Sequence, residues 1–424
     1  MVLVLMMGLF ALLLLVGMPV AFAMAISAVV SLFALGDVSM LIVPQRMYLS
    51  LDSFPILAVP FFILAGEVMN RGGITKRIVD FADTLVGRFR GGLGQVNVVA
   101  NILMAGVSGS ASADAVAIGS VMIPAMVRAG YPARFAAGLT ASAACIGPII
   151  PPSIVMVIYG SLTNLSIGAL FLGGFFPGLL IGLMLMVLVY FFARKNQWQK
   201  SSKASLKEIL RAFLSAVWAI LTPVILVGGI ISGIFTATEA GVVTAVYAFL
   251  VGFFVYREIK LKDLRDILVR SALFTAVPLI ILSGAFVFGW VLARQEFSSA
   301  MTRFIPSLTQ NPQVAYLLIV AILFLVGMFV EALAATIIFI PVLTPLAAVY
   351  GLDPIHFALV VIITMLIGTV TPPVGLQLYI CATIAQEPVP RVIVWPFVIA
   401  MTVALLFVVF FPPLVTWLPN LLLG

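Results

Sequence analysis

Apolar runs long enough to cross a lipid bilayer follow one another along almost the whole chain. A helical crossing needs about 20 such residues, so the 424 residues have room for roughly 10 to 12 crossings and their connections. Hydrophobic residues make up 63% of the chain, and Asp, Glu, Lys and Arg together only 9%. Mean hydropathy is +1.28. So few charges could not cover the surface of a water-soluble globule. The expected fold class is therefore an all-α polytopic membrane protein, and no partner is expected among nucleic acids. Cys145 and Cys381 sit in apolar segments without metal-ligand spacing, and His356 is the only histidine. No Cys/His zinc cluster can be assembled from them. The N-terminus is apolar from Val2, with no basic lead-in and no evident small-residue cleavage site. It reads as a retained membrane helix rather than a cleaved signal peptide.

Breaks between apolar runs give a map. Residues 1–53 are N-terminal scaffold: 2–35 is interrupted at Gly17-Met18-Pro19 and forms one kinked helix or two short ones, and 38–53 is interfacial. Residues 54–193 form a first unit. It opens with a span at 54–70 and a charged stretch at 71–92 whose Ile74, Ile78, Phe81 and Leu85 recur at helical spacing, as in a helix lying on the membrane surface. A hairpin at 93–129 follows; its arms are short for full crossings and its tip, Ser108 to Ser112, carries no charge, which suits a re-entrant loop. Next come a broken helix at 132–163 and a long span at 166–193. Residues 194–270 hold a basic loop, spans near 212–231 and 236–256, and a charged stretch, 257–270, read as a second surface arm. Residues 271–424 form the second unit, with a span at 271–293, a hairpin at 313–349, a broken helix at 355–386 and a last span near 391–417.

Charge tests this map. With the loop from Arg194 to Arg211 cytoplasmic, 19 of the 22 basic residues fall on that side; Arg46, Arg294 and Arg303 do not. That is the asymmetry of the positive-inside rule, so the net charge of +7 reflects topology and contact with anionic lipid.

The two units match at a fixed offset. Gly106, Pro124, Gly130, Gly147, Pro151 and Pro152 recur 221 residues on as Gly327, Pro345, Gly351, Gly368, Pro372 and Pro373. An odd number of crossings separates the copies, so they are inverted. Inverted repeats with helices broken at matching positions point to the binding site of a secondary transporter. The reason is backbone chemistry: a break frees N–H and C=O groups that lipid cannot satisfy, so they must face protein, water, ions or substrate.

Four segments carry a family resemblance: Gly106-Val-Ser-Gly-Ser-Ala-Ser-Ala-Asp114, Gly147-Pro-Ile-Ile-Pro-Pro-Ser153, Gly233-Ile-Phe-Thr-Ala-Thr-Glu-Ala240 and Gly368-Thr-Val-Thr-Pro-Pro-Val-Gly375. Together they resemble the large membrane subunit of tripartite ATP-independent periplasmic (TRAP) transporters, over essentially the whole chain. The resemblance implies import of an organic acid, of the sialic acid or C4-dicarboxylate class, across a bacterial inner membrane. It implies a sodium gradient as driving force, with more than one Na+ as coupling ion. It implies a periplasmic substrate-binding protein and a small four-helix membrane subunit as partners. It also implies an elevator-type, ion-transporter-like architecture, in which about 93–163 and 313–386 slide against a scaffold, held by arms at 71–92 and 257–270.

The candidate residues follow from the tips and breaks. Ser108, Ser110, Ser112, Ser153 and Thr371 are candidates for substrate binding. Ser108, Gly109, Asp114, Gly147, Gly327, Glu331, Gly368, Thr369 and Thr371 are candidates for sodium, supplying hydroxyls, backbone carbonyls or carboxylates. Pro148, Pro151, Pro152, Pro372, Pro373 and Gly375 set the breaks. The plain alternatives are helix capping and small-residue packing at a tight tip for the serines. For the prolines the alternative is a kink whose freed groups are satisfied by Ser and Thr. Asp114 completes a cation site or caps the second arm of its hairpin. Glu331 tunes the site, takes protons or bonds the backbone of its own tip. Glu67 and Glu239 read as structural, and His356 as a solvated loop residue. With no internal arginine evident, anion recognition falls to helix N-termini and hydroxyls, or to an interfacial arginine (Arg128, Arg134, Arg294 or Arg303) that reaches in. A proton-coupled transporter of the same fold and a passive channel are the rival functions. An intramembrane protease lacks a plausible Ser–His or Asp pair.

Overall fold

The computed structural model describes residues 2–198 and 204–424. Lys200 and Lys203 of the basic loop lie outside them. All the described regular structure is helical. Residues 2–35 form two helices, α1 (Val2–Leu15) and α2 (Val20–Leu35), separated at Gly17 and Pro19, where proline removes an N–H and glycine adopts φ +88°. α3 (Ile42–Leu51) is a short helix, and a 3-10 turn, Phe54–Leu57, leads into α4 (Ala58–Arg71).

Two similar series follow. The first runs α5 (Ile74–Val86), α6 (Gly92–Ser108), α7 (Ala111–Arg128), α8 (Ala133–Ala144), α9 (Ile154–Thr163) and α10 (Ile167–Asn196). α5 buries Ile74, Ile78 and Phe81 of the stripe expected in the charged stretch, whereas Leu85, its fourth member, is exposed. α11 (Leu206–Ile231) and α12 (Ala237–Leu250) connect the series, with a π-helical turn at Val251–Val255. Both start on capping boxes, Ser205 with Glu208 and Thr236 with Glu239.

The second series is α13 (Leu264–Arg294), α14 (Phe297–Leu308), α15 (Pro312–Gly327), α16 (Ala332–Val349), α17 (Pro354–Gly368), α18 (Leu376–Ala385) and α19 (Trp395–Phe410), closed by α20 (Pro413–Leu422). Seven helices among the described residues are long and apolar enough to span a membrane, and α19 with α20, bent by 56° at Pro412 and Pro413, is an eighth when the pair is counted as one span.

Three expectations need correction. Residues 257–270 are not a separate arm, because α13 begins at Leu264 and continues unbroken through 270. The surface-type helix of the second series is α14, on the other side of α13. Its Phe297, Met301, Phe304, Ile305 and Leu308 share one face, and it packs on α16. The second arms of the two hairpins, α7 and α16, are not short for crossings: each has 18 residues and is apolar enough to span a membrane. His356 is not solvated. It is buried in α17, 2.8 Å from Val408 O through Nε2 and 3.4 Å from the Tyr316 hydroxyl through Nδ1.

The core is densest where the broken helices meet. Residues 135–160 are buried without exception. α18 packs on both α7 and α8, so the second series closes over the first.

Candidate substrate and ion site

α6 ends at Ser108 and α7 begins at Ala111, joined by Gly109 at φ +61° and an extended Ser110. The left-handed conformation favours glycine at 109. A side chain there would also meet Pro152 O at 2.6 Å. The tip therefore rests on the first break, and the Ile154 N–H donates to Gly109 O at 3.5 Å. Ser108 Oγ accepts from Ser110 N at 3.3 Å, and Ser110 Oγ accepts from Ala113 N at 3.4 Å. Ser153, at the far side of the break, caps α9 by accepting from Met156 N at 3.2 Å.

Asp114 lies in the first turn of α7, fully buried, and neither carboxylate oxygen has a hydrogen-bond partner. The Ser108 hydroxyl faces it outside hydrogen-bonding geometry. Since Ser110 caps α7, Asp114 does not. Its carboxylate lies against the backbone of Gly147, where any Cβ would collide with Asp114 Oδ2. A hairpin carboxylate, a hydroxyl and the carbonyl-rich break thus share one small volume.

The second series builds its junction from backbone alone. Gly327, ending α15, packs against Gly368, ending α17; a Cβ on Gly368 would stand 2.6 Å from the Gly327 carbonyl carbon. Thr369 Oγ1 donates to Leu366 O (2.7 Å) and Thr371 Oγ1 to Ile367 O (2.8 Å), so both hydroxyls satisfy carbonyls freed at the end of α17. Glu331 caps α16, its Oε2 accepting from Leu333 N and Ala334 N at 2.9 and 3.1 Å. Residues 145–153 are buried throughout, including Pro148, Pro151 and Pro152, whereas Pro372 is half-buried and Pro373 and Val374 are exposed. α18 starts on Gly375 at φ +57° with no side-chain cap.

The two breaks touch. Cys145 Sγ donates to Leu366 O at 3.4 Å and lies 4.0 Å from Thr369 Oγ1. Ser112 Oγ accepts from Gln377 Nε2 at 3.4 Å, and Gln377 Oε1 is buried without a partner. Sequence reasoning missed Cys145 and Gln377 as members of this junction. A polar Gln two residues past the Gly375 break was the available signal.

Hairpin tips seated on matched breaks, in an all-helical chain of many spans, define a membrane transporter. Among solved structures the chain is similar to that of the Alcanivorax borkumensis YdaH transporter, at TM-score 0.59 and 14% identity, covering 84% of this chain and 86% of that one. The likeness is one of fold. Residues 7–414 match the family model of the tripartite ATP-independent periplasmic transporter, DctM component, and the chain belongs to that family. It is 41% identical to the sialic acid TRAP transporter large permease protein SiaM of Vibrio cholerae, over 97% of each chain. It is 36% identical to the C4-dicarboxylate large permease protein DctM of Rhodobacter capsulatus, over 98% of each. It is also 38% identical to the isethionate permease protein DctMQ of Oleidesulfovibrio alaskensis, over 96% of this chain but 64% of that one. The protein is thus a multi-pass TRAP permease component of the bacterial inner membrane, and not an enzyme.

Proposed function

We propose that the chain imports an organic acid, of the sialic acid or C4-dicarboxylate class, by sodium symport. The observation that carries the coupling is Asp114: a buried carboxylate with no partner, set against the Gly147 break and facing the Ser108 hydroxyl. Hard cations take oxygen ligands of this kind. Gly327 and Gly368 bring a second set of backbone carbonyls together, which supports a further Na+ there. The uncapped, partly exposed start of α18, next to Ser112 and Gln377, suits the anionic group of the substrate. The relatives described above are named for sialic acid, C4-dicarboxylate and isethionate, all organic acids.

The two series read as inverted repeats with re-entrant hairpins. In an elevator stroke the body of α6–α9 and α15–α18 moves against α1–α4 and α11–α13, with α5 and α14 as its arms. A periplasmic substrate-binding protein delivers the acid. A small four-helix membrane subunit packs beside the chain, in keeping with the longer DctMQ relative.

The test is uptake of labelled sialic acid and C4-dicarboxylates into proteoliposomes holding the chain and both partners. Accumulation that needs an inward sodium gradient and the soluble protein supports the reading. A proton is the rival coupling ion because the same carboxylate suits it; accumulation driven by a proton gradient without sodium would replace sodium with it. Equilibration without accumulation would mark a passive path.

A further inference from the structure

On the extracytoplasmic side, as the basic-residue count assigns it, Arg294 pairs with Asp37 at 2.5 Å and Arg303 Nε donates to Ser299 O at 3.2 Å. Arg46, on α3, differs. Its Nε is buried and has no hydrogen-bond partner. Its guanidinium lies over the Trp290 ring, 5.8 Å from the centroid, and Arg294 lies 5.7 Å from the same ring. Arg46 lines a shallow, open groove of about 370 Å³ along the outer side of α3, with Ile42, Gln45, Tyr48 and Leu49.

α13 measures the depth of this groove. Arg71 pairs with Asp266 at 3.8 Å near the cytoplasmic end of α13. Trp290 stands 24 residues further along, about 36 Å of helix. The hydrocarbon core is about 30 Å thick and the headgroups extend the bilayer to about 40–45 Å. Trp290 and Arg46 therefore sit at the headgroup level of the far leaflet, where Trp and Tyr are favoured. The outer wall is apolar and open: Leu41, Tyr48 and Leu49 are exposed.

We propose that Arg46 and this groove hold a phospholipid of the extracytoplasmic leaflet, its phosphate on the guanidinium and an acyl chain against Ile42 and Leu49. A guanidinium matches phosphate in charge and in its fork of donors. The depth and the apolar wall favour a lipid over an acidic side chain of a protein partner. The inference does not rest on the transport reading.

The test is native mass spectrometry of the full chain, stripped of lipid and then offered palmitoyl-oleoyl phosphatidylethanolamine, a galactosyl-diacylglycerol with the same chains, or inorganic phosphate. The wild type and the control Arg303→Gln are expected to retain one phosphatidylethanolamine and no galactolipid. Arg46→Gln should cut the retained fraction about tenfold, and Arg46→Lys by less. Leu49→Asp, on the exposed wall and clear of Trp290, places a carboxylate beside the phosphate and should also lose the adduct; it keeps the test open if Arg46→Gln does not fold. Equal retention of both lipids, or unchanged retention in Arg46→Gln and Leu49→Asp, would overturn the proposal. So would inorganic phosphate displacing the lipid, which would mark a free-anion site. Loss of a co-purifying protein chain in Arg46→Gln with the lipid retained would assign Arg46 to a protein acid instead.

Discussion

A carboxylate at the centre of a membrane helix costs about 2.5–3.5 kcal/mol on insertion scales, and Asp114, though in the first turn of α7, is fully buried with neither oxygen bonded. Replacing it with the isosteric amide should leave the fold at least as stable, because a desolvated charge is removed. Asp114→Asn is expected to lower sodium-driven uptake tenfold or more, about the effect of a charged ligand's 1.5–3 kcal/mol, while the melting temperature holds or rises. Uptake at the wild-type level and sodium dependence would remove Asp114 from coupling. Gly147 supplies the second residue-level test, since its Cβ position is already taken by Asp114 Oδ2. Gly147→Ala should destabilise by about 1–3 kcal/mol. In Asp114→Ala, which clears the space, it should cost less by over about 0.5 kcal/mol. Thermal melts of the four proteins measure that difference directly.

Among the elements, α5 shows how the proposed arm is attached. Arg77 pairs with Glu258 at 3.3 Å, and its guanidinium lies 4.0 Å from the Tyr256 ring centre. Further along α5, Asp80 keeps contact with solvent yet is crowded by protein. Burial chiefly pushes its carboxyl above the usual carboxylate range; Lys76 pulls it down, Asp83 pushes it up and Arg77 opposes. A raised folded-state pKa means that ionised Asp80 weakens the fold above that pKa. The penalty fades as pH falls through it and is gone below the unfolded value of about 3.9. Asp80→Asn should therefore raise the melting temperature by about 1 °C near neutral pH and leave it unchanged below that value. The same helix shows what the sequence discloses. α5 was legible because charges flank a helical apolar stripe, and both breaks were legible because a Pro-Pro pair close after a glycine removes two successive N–H donors and breaks the helix. α14 was not, since it carries Arg303 as its only charge and charge was the signal followed. For the same reason 257–270 passed for an arm, although its last residues are the first turns of α13. His356 follows a Gly-Leu-Asp-Pro turn that looks solvated, and only Val408, 52 residues away, reveals its burial. At the site, the residues of the tips and breaks were nameable, but not that Asp114 would face Gly147 or that Ser112 would meet Gln377. Those are contacts between segments, set by packing.

At the scale of the whole molecule, the proposed sliding body meets the proposed scaffold at a cavity of about 440 Å³ between α9, the turn at Phe54–Leu57 and the α11–α12 loop. Across it Ser53 Oγ lies 3.1 Å from Ser161 Oγ, within reach of a disulfide if both are changed to cysteine. Oxidised Ser53→Cys/Ser161→Cys protein should lose most of its uptake and regain it on reduction. Ser50→Cys/Ser283→Cys, whose hydroxyls are 3.4 Å apart with neither residue in the sliding body, should transport equally well oxidised or reduced. Full uptake by the oxidised first pair would mean that these surfaces do not separate. The two halves also differ in a way that bears on how the chain is made. Ala335 stands where the first series has Asp114, so only one hairpin carries a buried carboxylate in its second helix. During synthesis α6 and α7 emerge before α8, and the Gly147 backbone that receives Asp114 is not yet available. That hairpin is poorly suited to settle in the bilayer by itself, and its final insertion waits for α8 and the break to arrive. The second hairpin has alanine at that place, and its tip carboxylate, Glu331, is bonded by N–H groups of its own second helix, so no later segment is needed to satisfy it.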